Sequence, residues 1–124
     1  MNIREIDHIT LTVADVARSE RFYHEVFDMP ILTDTPYPGV RAGKQRIYFT
    51  TKETQPAIAP AQPTSGSIAL SLVAKNPMNE IVNHLKSYFV EIVDEPKQRQ
   101  GTHGKVQSLL IKDPDGNVVE VANY

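Results

Sequence analysis

The stretch IDHITLTV, residues 6–13, alternates with period two, sending Ile9, Leu11 and Val13 to one face and His8, Thr10 and Thr12 to the other. Asp15 then stands as an N-cap for a helix of about three turns through Phe27, with Val16, Tyr23, Val26 and Phe27 at helical spacing. MPILTDT and GVRAGKQ read as strands separated by the turn-forming PYPG. QRIYFTT alternates again, with Ile47 and Phe49 on one side and Arg46, Tyr48 and Thr50 on the other. The order is strand, helix, then three strands.

Residues 52–66 carry Pro56, Pro60 and Pro63 without an apolar period and read as an extended linker. The pattern then restarts. GSIALSLV is a strand with Ile68, Leu70 and Leu72 facing one way and Ser67, Ala69 and Ser71 the other. Asn76 caps a second helix that starts on Pro77 and buries Ile81, Val82, Leu85, Tyr88 and Phe89. VEIVDEP, KVQSLLI and NVVEVAN are the remaining strands, and DPDGN is the tight turn between the last two.

The two halves share one element order, which is the mark of an internal repeat. His8 to Val13 lie over Ser67 to Leu72, Met29 to Leu32 over Val90 to Val93, and Ile47 to Thr50 over Val119 to Ala122. With one helix for about four strands, each half can cover only one sheet face. The opposite faces carry His8, Thr10, Thr12, Arg46, Tyr48 and Thr50 in one half and Ser67, Ser71 and Glu120 in the other. These side chains are small and polar, unlike a Lys- and Glu-rich solvent surface, so a curved sheet lined by them encloses a cavity. The expected fold is α+β: one domain over residues 1–124, built of two paired βαβββ modules (1–51 and 67–124) whose curved mixed sheets surround that cavity.

Composition narrows the function classes. A formal net charge of −2 gives no electrostatic case for nucleic acid. No apolar run approaches membrane-spanning length, and the first residues lack the regions of a signal peptide, so the cytoplasm is the expected location. With no cysteine, disulfides and thiolate metal sites are excluded.

The segments DHITLTVADVARSERFYHEVFDMPIL and IKDPDGNVVEVANY, within the paired modules, resemble the vicinal oxygen chelate superfamily of glyoxalase I, extradiol dioxygenases and bleomycin resistance proteins. The closest look is to small single-domain glyoxalase-like members. The resemblance implies a divalent metal (Zn, Ni, Mn or Fe) held at four positions, here His8, Tyr48, Ser67 and Glu120. An imidazole and a carboxylate are good ligands for such ions. Ser67 departs from the usual His and Tyr48 from the Glu of glyoxalase I, so His8 and Glu120 are the expected metal ligands.

The same resemblance implies a metal-dependent lyase or dioxygenase acting on a small oxygen-rich or conjugated metabolite. Glu120, Tyr48 and His103 would be its catalytic side chains, and Thr10, Arg46, Thr50 and Ser67 would line the substrate pocket. It further implies a homodimer with exchanged modules. The rival reading is a metal-free binding or drug-sequestering protein of the bleomycin-resistance type, which Ser67 favours. His24 and His84 lie on helices and are expected to take no part in chemistry. Relatives commonly carry glycine where the second helix ends; this chain has Phe89, which costs on the order of 1 kcal/mol if that position is left-handed.

Overall fold

The computed structural model describes all residues from Met1 to Tyr124. The chain forms two compact units, Met1–Gly66 and Ser67–Tyr124. Both mix helix and sheet. The first holds β1 (His8–Thr12), α1 (Val16–Phe27), β2 (Gly39–Ala42) and β3 (Gln45–Thr50); the second holds β4 (Ala69–Val73), α2 (Met78–Ser87), β5 (Ile92–Gly101), β6 (Gly104–Lys112) and β7 (Val118–Asn123). Neither helix is long and apolar enough to cross a membrane.

In the first unit the strand order is β1-β3-β2, with β1 parallel and β2 antiparallel to β3. Asp15 caps α1 as expected: it is extended (φ −142°, ψ 109°) and its carboxylate accepts from the Arg18 amide at 3.0 Å. The helix buries Ser19, Tyr23 and Val26, and the Tyr23 ring meets Phe49 of β3 with centroids 5.6 Å apart. Leu11, Val13, Val40 and Ile47 complete this core, each no more than 3% exposed. One expected strand is missing. MPILTDT contributes only an isolated bridge from Ile31 to Val40, flanked by a hydrogen bond from the Arg41 amide to the Pro30 carbonyl. Pro30 has no amide hydrogen to continue a ladder, and the turn residues that follow end the pairing.

The second unit has the order β4-β7-β6-β5, with β4 parallel to β7 and the rest antiparallel. Leu109, Ile111, Val119 and Val121 stand on one face of the central strands and are at most 4% exposed, while α2 buries Ile81 and Leu85. α2 starts one residue later than expected. Pro77 is itself the extended N-cap residue, without a side-chain cap, and Asn76 Nδ2 instead donates to Glu80 Oε2 at 3.3 Å. β5 also runs past Pro96 to Gly101 rather than stopping there. The β5–β6 register shifts between Asp94 and Lys97, so the proline sits in an irregularity where no ladder donor is required.

The DPDGN turn is built around a buried carboxylate. Asp113 Oδ1 accepts from the amides of Asp115 (3.0 Å) and Asn117 (2.9 Å), and its Oδ2 from Asn117 Nδ2 (2.8 Å). Asn117 Oδ1 in turn accepts from the Ile68 amide at 2.9 Å, which ties the approach to β4 to the start of β7. Gly116 supplies the left-handed residue of this turn (φ 88°). Replacing Asp113 with Ala removes the acceptors of three hydrogen bonds from a site only 5% exposed, and unfolding by denaturant is expected to show a loss of about 2–3 kcal/mol.

Phe89 is left-handed (φ 57°), and its ring is 96% exposed, so it does not join the buried stripe of α2 and no packing within the chain offsets the strain. Tyr88 also stays outside the stripe, at 45% exposure. Phe89→Gly is expected to stabilise the fold by about 1 kcal/mol, seen as a rise of roughly 4 °C in thermal midpoint. An unchanged or lowered midpoint would show that the ring makes a contact in solution.

Candidate functional site

The polar face of the second sheet is set by strand register. Ser71 of β4 stands opposite Glu120 of β7, and Ser108 of β6 stands opposite Ala122 on one side and Lys97 of β5 on the other. Ser71, Val73, Val106, Glu120 and Ala122 floor a hollow of about 190 Å³, with Gly101, Thr102, His103 and Tyr124 around it.

Glu120 is half-buried, and its Oε2 accepts from Ser108 Oγ at 2.7 Å. Ser108 is fully buried, and its Oγ accepts from Arg99 Nη1 at 3.0 Å; the same nitrogen donates to the Ser108 carbonyl. Arg99 Nη2 is paired with Asp94, which Lys97 Nζ also approaches at 3.0 Å. The hydrogen bond from Ser108 is the main cause of a Glu120 carboxyl pKa below its ordinary value. A bond from Ser71 and the Arg99 charge add to it, and burial opposes it. Asp94 is likewise lowered, first by Lys97 and then by Arg99.

His103 sits at the tip of the two-residue β5–β6 hairpin, between the paired Gly101 and Gly104. Its amide donates to Tyr124 Oη at 2.9 Å, and the two rings are 5.9 Å apart. Gly101 is required by space rather than by backbone angle: a Cβ there would lie 2.5 Å from Tyr124 Oη and 2.9 Å from Val106 Cγ1.

In the first unit, His8 and Tyr48 come together edge to face, with centroids 4.9 Å apart, and Tyr37 packs on Tyr48 at 6.1 Å. His8 Nδ1 lies 2.8 Å from Asp7 Oδ2. A carboxylate can only accept, so Nδ1–H is the donor of this bond and Nε2 is the ring nitrogen turned away from Asp7. Arg46 donates from Nη1 to Tyr48 Oη at 3.5 Å and from Nη2 to Asp34 Oδ2 at 2.7 Å. Those contacts lower the pKa of Asp34 and raise that of Arg46. Thr50 Oγ1 is taken up by Thr54, and Thr10 is exposed opposite Tyr48 in the ladder.

Of the eight site residues expected from sequence, then, His8, Tyr48 and Arg46 form one cluster in the first unit, with Thr10 and Thr50 on the same strands. Glu120 and His103 share the hollow of the second unit. Ser67 is exposed and precedes β4. The ladders also adjust the repeat: Thr10 faces Tyr48 as Ser71 faces Glu120, so by strand pairing Ala69, not Ser67, matches His8.

The chemistry of these donors does not fit the four-ligand metal set. Ser67 offers a neutral hydroxyl outside the strand, and the Tyr48 oxygen accepts a bond from a guanidinium, which opposes a second cation. Within each unit, no three His, Asp or Glu side chains cluster as an ion site.

Arg99, Ser108, Asp94 and Tyr124 were not singled out from sequence. The one available signal was Ser108, a polar residue inside the apolar run VQSLLI at a position alternating with Val106 and Leu110.

Comparison with known proteins places this geometry in context. The family described as the Glyoxalase/Bleomycin resistance protein/Dioxygenase superfamily matches residues 5–121. The chain is 34% identical over 125 residues to Virulence protein STM3117 of Salmonella typhimurium, covering 100% of this chain and 87% of that one. The crystal structure of that protein superposes with a TM-score of 0.95, covering 100% of this chain and 99% of the other. At the level of fold alone, the chain is similar to lactoylglutathione lyase from Agrobacterium tumefaciens (19% identity, TM-score 0.76, covering 98% and 95%). It is similar at that level also to TnmS3, an antibiotic binding protein from Streptomyces sp. CB03234 (21%, TM-score 0.75, 99% and 98%).

Because the Glu120 carboxyl titrates below its ordinary value, its contacts stabilise the fold above the ordinary carboxylate range. That contribution is lost as pH falls through the lowered pKa. Ser108→Ala is expected to raise the Glu120 titration toward the ordinary glutamate range in carbon-detected NMR. An unmoved titration would mean that Ser108 is not its main partner.

Proposed function

This chain belongs to the Glyoxalase/Bleomycin resistance protein/Dioxygenase superfamily, and from that premise we propose that it is a small-molecule-binding protein. The ligand sits in the hollow of the second unit, anchored by Glu120 without a resident metal. One observation carries this reading: a half-buried carboxylate, bonded by the hydroxyl of Ser108 and with Ser71 opposite it in the ladder, stands in the wall of a hollow otherwise floored by Val73, Val106 and Ala122. An oriented acceptor on an apolar floor is what a small-ligand site needs for affinity and direction.

Size restricts the ligand. At about 190 Å³ the hollow is smaller than the roughly 300–1,000 Å³ typical of drug-sized ligands. It therefore suits a small metabolite, or one end of a larger molecule. Glu120 accepts from the ligand, while His103 and Thr102 border it from the hairpin tip. A homodimer is part of the same reading.

The second reading is a divalent-metal-dependent lyase or dioxygenase with His8 and Glu120 as ligands. The observation that favours it is the Asp7–His8 pair, since a carboxylate on one ring nitrogen leaves the other oriented as a ligand. Calorimetry with a panel of small hydroxylated and conjugated metabolites separates the two. Chelator-treated protein is expected to keep its binding. Glu120→Gln is expected to weaken it by about ten- to a hundredfold, as removal of a charge-assisted hydrogen bond does. Metal content after reconstitution is expected to stay below about a tenth of an ion per chain. A stoichiometric ion lost in His8→Ala would replace the first reading with the second.

A further inference from the structure

Arg99 is the largely buried guanidinium of the second sheet, with a side chain 16% exposed, and such a group beside a binding hollow invites an anionic ligand. Its contacts argue otherwise. Nη1 donates to the carbonyl and hydroxyl oxygens of Ser108, and Nη2 donates to Asp94. Neither Arg99 nor Ser108 lines the hollow.

The direction of these bonds is fixed by chemistry. A guanidinium has donors and no acceptor, so Ser108 Oγ must accept from it. The hydroxyl has one proton, and that proton goes to Glu120 Oε2 at 2.7 Å. The bonds therefore run outward from Arg99, to Asp94 on one side and through Ser108 to Glu120 on the other, and each branch ends on a carboxylate that can only accept. The charges also balance: Lys97 and Arg99 against Asp94 and Glu120, which leaves no surplus positive charge for an anion.

We propose that Arg99 is a positioning residue that acts through Ser108 to hold Glu120 as a fixed acceptor, so that the ligand presents a hydrogen-bond donor, a hydroxyl or ammonium group, and not a carboxylate or phosphate. This inference rests on the hollow of the second unit being the binding site.

Three probes of equal chain length test it: butylammonium, butan-1-ol and butanoate, each titrated into the intact protein and read by amide shifts at Ser71, Glu120 and Ala122. The first two are expected to shift these amides saturably, with butanoate at least roughly tenfold weaker. Arg99→Met and Ser108→Ala are each expected to weaken butylammonium about three- to tenfold. The double variant should be no weaker than the worse single one, because both act along one line. Ser108→Ala removes a single hydroxyl and keeps the test available if Arg99→Met does not fold.

Butanoate binding that matches butylammonium and disappears in Arg99→Met would overturn the inference and make Arg99 an anion site, with the hollow still a binding site. Additive losses in the double variant would overturn the positioning role. If no probe moves these amides, the hollow is not a site, and the reading beneath falls together with the inference.

Discussion

The carboxylate of Asp113 is the constraint on which the second unit depends. A buried acidic side chain is tolerable only when its oxygens are supplied with donors, and here two amides and the Asn117 side chain do so within a five-residue turn. Asn117 then spends its own oxygen on Ile68, far away in sequence. One turn thus closes the β6–β7 hairpin and pins the approach to β4 beside β7. A parallel pair has no short connection to set its register, so such a tie does the work that a hairpin turn does for antiparallel strands. The register that results puts Ser71 across from Glu120.

From there the polar face follows by hydrogen-bond arithmetic. β6 places Ser108 within reach of Glu120, and the long β5 carries Arg99 and Asp94 alongside. Each member is satisfied by its neighbour, and no buried side-chain nitrogen or oxygen in the chain lacks a partner. The first unit handles its polar face differently. Arg46 is tied to Asp34 at the surface, and the imidazole of His8 and the phenol of Tyr48 pack edge to face. The two halves repeat the order of their elements while carrying different chemistry on corresponding strands. A shared fold therefore says little about a shared reaction.

What could be read from sequence was what depends on near neighbours along the chain. Asp15 caps α1 because the cap and the amide it meets are three residues apart, and the alternation of Ile47 and Phe49 with Arg46 and Tyr48 is a property of one strand. Glu120 could be placed on a polar face for the same reason. The failures have a common cause. Whether MPILTDT pairs, whether β5 survives Pro96, and whether the cap of α2 is Asn76 or Pro77 are decided by partners that single-strand periodicity does not include. The Arg99–Ser108–Glu120 line spans three strands, and only the register brings its members together. Phe89 is the reverse case. The glycine that relatives carry after this helix raises a left-handed backbone as a possibility, which the structure bears out, whereas the exposure of its ring has no signal in the sequence.

The contact between Tyr124 and the hairpin tip has one more consequence. A single phenolic oxygen receives the His103 amide, and the missing side chain at Gly101 is what lets that oxygen come so close. The residue after β7 and the β5–β6 bend are thereby joined by one hydrogen bond and one ring contact. Displacing the phenol would cost that bond and the ring beside the imidazole, while the paired Gly101 and Gly104 would still hold the bend closed.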